Sequence, residues 1–195
     1  MRVKGIKEDF IMIMIISFLG FIVEEIWMLF RYSTLDNRNM FFPFLLGYGL
    51  FVVLLYHIVG IPKKIFNKYK FDKTKSFIVY MIICFFLVSI GEILLGFFVE
   101  KTGHFYYWNY SSIPLHFTKY TSVPTSLGFA LIITLFMNYA YVPLLKKIKK
   151  NDKKIPIFVI VFIMCLLVLD FNFSFKKMYN NKGRNTVWSI QLRKR

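Results

Sequence analysis

"FIVYMIICFFLVSIGEILLGFFV", residues 77–99, runs for 23 positions with one charged side chain, Glu92. Wound as an α-helix it would reach roughly 35 Å, a little more than the ~30 Å hydrocarbon core of a bilayer. A helix on the surface of a soluble protein alternates apolar and polar faces every 3.6 residues, and this stretch has almost no polar face. Four further blocks read the same way: 10–30, 41–61, 123–145 and 155–173. The predicted fold is therefore all-α, a polytopic membrane protein of about five transmembrane helices. It forms a single transmembrane domain over residues 1–175 with a basic C-terminal tail, 176–195. The lipid bilayer is its first partner.

The formal charge of +16 does not point to nucleic acid, because the cations sit between the apolar blocks. "PKKIFNKYKFDKTK" and "KKIKKNDKK" carry six lysines each, against two Lys/Arg in 31–40 and two in 100–121. With the start "MRVKGIK", the positive-inside bias places the N-terminus in the cytoplasm and those two poorer connections outside. Five spans also put the tail outside, although it carries seven Lys/Arg, so the bias falls to 15 inside against 11 outside. Basic segments beside a membrane attract anionic lipid. The first block is long and lacks a small-residue cleavage site, so it reads as a retained span of a cell-membrane protein. Cys84 and Cys165 lie in apolar blocks and read as packing residues rather than a disulfide or zinc pair.

The chain also appears written twice. "LGFIVEE" (19–25) returns as "LGFFVEK" (95–101), and "PFLLGYGL" (43–50) as "PTSLGFAL" (124–131). The order of motifs predicts two tandem two-helix repeats, about 10–61 and 77–145, plus a fifth helix at 155–173. Such parallel repeats are one of the arrangements found in transporters.

A helix turns about 100° per residue. Ser17, Gly20, Glu24, Trp27 and Arg31 therefore share a stripe on the first helix, and Ser89, Glu92, Gly96, Glu100 and Gly103 share one on the third. Small residues let helices approach closely. An ionised, unpaired Glu in hydrocarbon costs at least a few kcal/mol, so both stripes are expected to face the bundle, with Arg31 and Arg38 as available cations. Glu25 points about 100° away, toward the outer interface. The stripes suit either a polar cavity or simple helix bonding. The loop "GHFYYWNYSSIPLHF" (103–117) is rich in interfacial aromatics and would form either an interfacial belt or a lid.

Taken together, Gly20 with Glu24, Asn37-Arg38-Asn39, "PFLLGYG" (43–49), Glu92, Glu100-Lys101, "WNYS" (108–111) and "TSLGFA" (125–130) resemble the bacterial membrane proteins called putative ABC-transporter type IV. The resemblance runs over about residues 13–140. It departs at Asn39, where the family has Gly, at a shortened Gly-Pro portion, and at Asn109, where the family has an acid. It implies a permease-like component of a bacterial transport system. The polar-cavity candidates are Glu24, Arg31, Asn37, Arg38, Glu92, Glu100, Trp108, Asn109 and Tyr110. Few helices for a complete pathway imply a homodimer or a separate permease or ATPase subunit.

Other chemistries find less support. The glutamate-type CAAX proteases carry Glu-Glu-x-x-x-Arg, but five residues separate Glu24-Glu25 from Arg31, and the required Phe and Asn are missing around His57, His104 and His116. There is no Gly-x-x-x-x-Gly-Lys-Ser/Thr phosphate loop and no Gly-x-Ser-x-Gly nucleophile. Glu100 and His104, four apart, are too few for a metal unless Glu24, Glu92 or His116 joins them. No catalytic residue, metal or cofactor is assigned. Two alternatives stay open: an intramembrane lipid- or peptide-processing enzyme using paired carboxylates as acid and base, and a membrane assembly subunit that moves nothing.

Overall fold

A computed structural model describes residues 5–151, 156–184 and 186–192, without the side chains of Phe66 and Lys68. In chain order the elements are α1 (Ile6–Tyr32), β1 (Thr34–Asp36), α2 (Leu46–Ile58), α3 (Pro62–Tyr69) and α4 (Lys73–Gly103). Then come β2 (His116–Thr118), β3 (Thr121–Ser122), α5 (Val123–Leu135), a π-helical turn at Phe136–Ala140, α6 (Tyr141–Lys150), α7 (Ile157–Asn181) and β4 (Ser189–Gln191). Five stretches are long and apolar enough to cross a membrane: Ile6–Tyr32, Leu46–Ile65, Lys73–Gly103, Val123–Lys150 and Ile157–Asn181. Large apolar side chains such as Phe30, Leu94, Phe158 and Phe162 lie exposed along them, as they must where the solvent is lipid. The protein is a multi-pass helical membrane protein.

The helix boundaries have local causes. Asp72 caps α4 by accepting the Lys75 backbone N–H at 2.7 Å, and Ser122 precedes α5, whose first turn holds Pro124 where a missing N–H costs nothing. α1, α4 and α7 each stop at a left-handed residue, Ser33, His104 and Lys182.

Two compact units divide the chain. The first joins residues 1–55 to 145–195. In it α1 runs beside α2 so closely that a Cβ on Gly49 would collide with the Ile13 carbonyl and the Ser17 hydroxyl. The Ser17 backbone carbonyl accepts the backbone N–H of Leu45 at 3.1 Å. The second block is expected from 41, yet its helix begins at Leu46. Pro43 supplies no N–H and favours extended backbone before it, and the N–H groups of Phe41 and Phe42 are both taken at 2.9 Å by the Asp170 carboxylate. α7 runs to Asn181, eight positions past the apolar block's end at 173. Beyond it β4 pairs antiparallel with β1, Leu35 opposite Ile190. That places the chain's last described segment on the same side as the α1–α2 connection, which an odd number of spans requires.

The second unit, residues 56–144, is continuous. α4 and α5 are its main packed pair, with α3 against α4. The Tyr80 hydroxyl donates to the Gly60 carbonyl at 2.8 Å where the chain breaks between α2 and α3. β2 and β3 form a small hairpin whose tip is Lys119 and Tyr120. These short ladders, one within a connection and one joining a connection to the segment after α7, are additions to the all-helical expectation. Cys84 is buried, Cys165 exposed, and both are free thiols.

Candidate functional site

In the first unit the acid of α1 is met from two directions. A Cβ on Gly20 would stand 2.7 Å from the ring of Tyr48, so only Gly lets that ring lie against the helix. Four residues on, one full turn, Glu24 accepts the Tyr48 hydroxyl. Its other oxygen pairs with Arg38 Nη2 at 3.3 Å, and Arg38 also reaches Asp36 at 3.6 Å. The connection is then pinned further: the Arg38 N–H donates to Asp36 at 2.7 Å, the Asp36 N–H to Glu25 at 3.2 Å, and the Asn37 side-chain amide to the Met40 carbonyl at 2.8 Å. Asn37 also accepts the Val187 N–H at 3.1 Å. Thus Glu24, Asn37 and Arg38 come together. Arg31 does not join them: it is exposed, 5.9 Å from the ring centre of Tyr32. Trp27 is exposed as well, whereas Met28, one turn past Glu24, is buried, so the inward face of α1 continues through Met28 rather than through Trp27 and Arg31.

In the second unit the predicted stripe of α4 is followed throughout, with Ser89, Gly96 and Gly103 buried and Glu92 and Glu100 half-buried. Glu92 accepts the Thr121 hydroxyl at 2.6 Å, the Ser126 hydroxyl at 3.0 Å and the Tyr110 hydroxyl at 3.5 Å. Glu100 repeats the α1 arrangement. A Cβ on Gly96, four residues earlier, would stand 2.6 Å from the Tyr120 ring. The Tyr120 hydroxyl donates to Glu100, and the cation is Lys119, 2.7 Å away. That carboxylate raises the Lys119 ammonium and the Tyr120 phenol above their ordinary pKa ranges, so each remains a donor. Trp108 Nε1 donates to the Tyr120 carbonyl at 2.6 Å. Asn109 is exposed and accepts the Ser111 N–H at 2.9 Å, shaping its own turn. Beside Glu100 opens a recess of about 540 Å³ whose walls include Phe97, Phe105 and Tyr106.

Sequence reasoning missed Tyr48, Lys119, Tyr120, Thr121, Ser126 and Asp170. The readable signal for Asp170 is an acid standing alone in the fifth apolar block. Among the described residues no group of three or more His, Cys, Asp or Glu converges as a metal site would require.

Removing the Tyr48 hydroxyl isolates one bond of this set. Tyr48→Phe keeps the ring on Gly20 and leaves Glu24 one donor short. A loss of about 1.5–3 kcal/mol is expected, the range for hydrogen bonds to charged groups, read as a lowered unfolding midpoint in detergent; an unchanged midpoint refutes it.

Five long apolar helices, with carboxylates satisfied by groups from neighbouring helices and from the connections, define a small polytopic membrane protein. A family model described as putative ABC-transporter type IV matches residues 11–175. The chain belongs to that family. No curated protein and no solved structure matches it.

Proposed function

We propose that the chain is the membrane-spanning, permease-like subunit of an ABC-type transport system, driven by an ATPase carried on a separate polypeptide. The observation that carries this reading is the family match over 11–175, joined to five helices suited to crossing a bilayer. The missing phosphate loop in the sequence assigns ATP hydrolysis to a partner. Each unit carries its own polar cluster, Glu24 with Arg38 in the first and Glu92 with Thr121 and Ser126 in the second, and alternation of the spans puts both connections on the outer face when the N-terminus is cytoplasmic. The two Gly-x-x-x-Glu seats, Gly20 with Glu24 and Gly96 with Glu100, each covered by a Tyr ring, support a tandem duplication.

The test is recovery of a tagged full-length chain from its own cells, followed by ATPase assay of the complex in proteoliposomes. An ATPase subunit should co-purify in fixed ratio. Glu24→Gln and Glu92→Gln should each lower its transport-coupled turnover about tenfold, a change of about 1.4 kcal/mol, while leaving the complex assembled. Recovery of the chain without any ATPase would sink the reading.

One observation favours a second reading, an assembly subunit in which these carboxylates only brace the fold: Glu24, Glu92 and Glu100 are each engaged by donors of their own unit. In that case the Gln variants lower the unfolding midpoint and leave turnover unchanged.

A further inference from the structure

We propose that the recess at the C-terminal end of α4 is a binding site for an organic ammonium group, whose carboxylate, Glu100, is occupied in this state by the chain's own Lys119. The inference deepens the transport reading by naming a substrate class, and rests on that reading for this step alone.

The Lys119 ammonium shows what the site recognises. Its nitrogen lies 2.7 and 2.8 Å from the two Glu100 oxygens and 3.4 Å from the Tyr106 hydroxyl. It also stands 4.7 Å from the centre of the Tyr106 ring and 5.3 Å from that of Tyr120. A carboxylate flanked by aromatic faces is the arrangement by which proteins hold alkylammonium ligands. The carbonyl end of α4 adds partial negative charge at the same place.

Three features separate this from an ordinary surface ion pair. A recess of about 540 Å³ adjoins the pair, with Phe97 and Phe105 extending its apolar wall, and that is the size of a small-molecule site. The walls are braced, since Tyr120 sits on Gly96 and its carbonyl is held by Trp108. The plug is a lysine at a hairpin tip, whose flexible stem withdraws more readily than a guanidinium fork. The corresponding cation of the first unit, Arg38, is by contrast shared between Glu24 and Asp36.

The experiment uses the full chain in lipid nanodiscs with Trp27→Phe and Trp188→Phe, both exposed positions, so that Trp108 emission reports on Tyr120. Ethylammonium and tetramethylammonium chloride are titrated against sodium chloride at matched ionic strength. With Lys119 present, the ammonium salts should give a saturable change that sodium does not. Lys119→Ala should saturate at a concentration at least tenfold lower, because the internal competitor is gone, and adding Glu100→Gln should abolish the response. Absence of saturation with Lys119 present shows a closed internal ion pair and overturns the proposal, as does undiminished binding after Glu100→Gln. Should Lys119→Ala fail to fold, the titrations with Lys119 present, with and without Glu100→Gln, decide alone. Binding requires no ATPase, so ammonium binding without ATPase recovery sinks the transport reading and leaves the site standing.

Discussion

Asp170→Ala is expected to lower stability by about 2–4 kcal/mol. The side chain is buried, and it accepts the N–H groups of Phe41 and Phe42 at 2.9 Å each. Its Oδ1 also takes the Ser174 hydroxyl at 3.2 Å. Alanine offers no acceptor, and each hydrogen bond to a charged group is worth about 1.5–3 kcal/mol, less where water can replace it. The backbone before Pro43 would then be free to leave α7. Asp170→Asn keeps one acceptor oxygen and should lose roughly half as much. The measurement is reversible unfolding of the purified chain in mixed micelles. A midpoint shift worth less than about 1 kcal/mol for the alanine variant would show that this carboxylate does not hold the connection. Hydrogen exchange at Phe41 and Phe42 gives a second readout, and both amides should exchange faster.

The other large effect comes from a single added methyl. Gly49→Ala places a carbon on the Ile13 carbonyl oxygen and the Ser17 hydroxyl. A backbone oxygen cannot rotate away, so α1 and α2 must separate along the contact. Forcing extra volume into a tight contact costs about 1–3 kcal/mol and sometimes more, and the upper end is expected here. Gly47 is the control two residues earlier, with nothing within 4 Å of its would-be Cβ. Gly47→Ala should be neutral or stabilising by up to about 1 kcal/mol, because Ala is the better helix former. Equal midpoints for the two variants would contradict the close approach of the helices.

What could be read in the chain beforehand follows from which forces act locally. Bilayer thickness dictates span length directly, so all five apolar blocks became helices. The late start of α2 at Leu46 depends on Asp170, more than a hundred residues away, which no periodicity encodes. The extension of α7 to Asn181 passes through Lys176 and Lys177, whose charge ends the apolar block but not the helix. Stripe geometry put Glu92 and Glu100 on the face of α4 that carries the buried Ser89, Gly96 and Gly103, where both are half-buried. On α1 it continued to Trp27 and Arg31, which are exposed, whereas the buried position one turn past Glu24 is Met28. Arg31 lies two positions before the left-handed stop at Ser33, and the cation that reaches Glu24 arrives from the connection as Arg38. Partners supplied by connections, Tyr120 and Thr121 among them, were illegible for the same reason: their positions are set by hairpin geometry rather than by helical spacing.

The discontinuity of the first unit bears on the order in which the protein is made. Residues 56–144 hold all the chain that their own unit needs, so that unit can close while synthesis continues. The unit built on α1 must wait for α7 to deliver Asp170 and for β4 to reach β1. A ribosome stalled before residue 170 leaves the amides of Phe41 and Phe42 without that acceptor. Completion of the N-terminal half thus waits on the synthesis of α7 and β4.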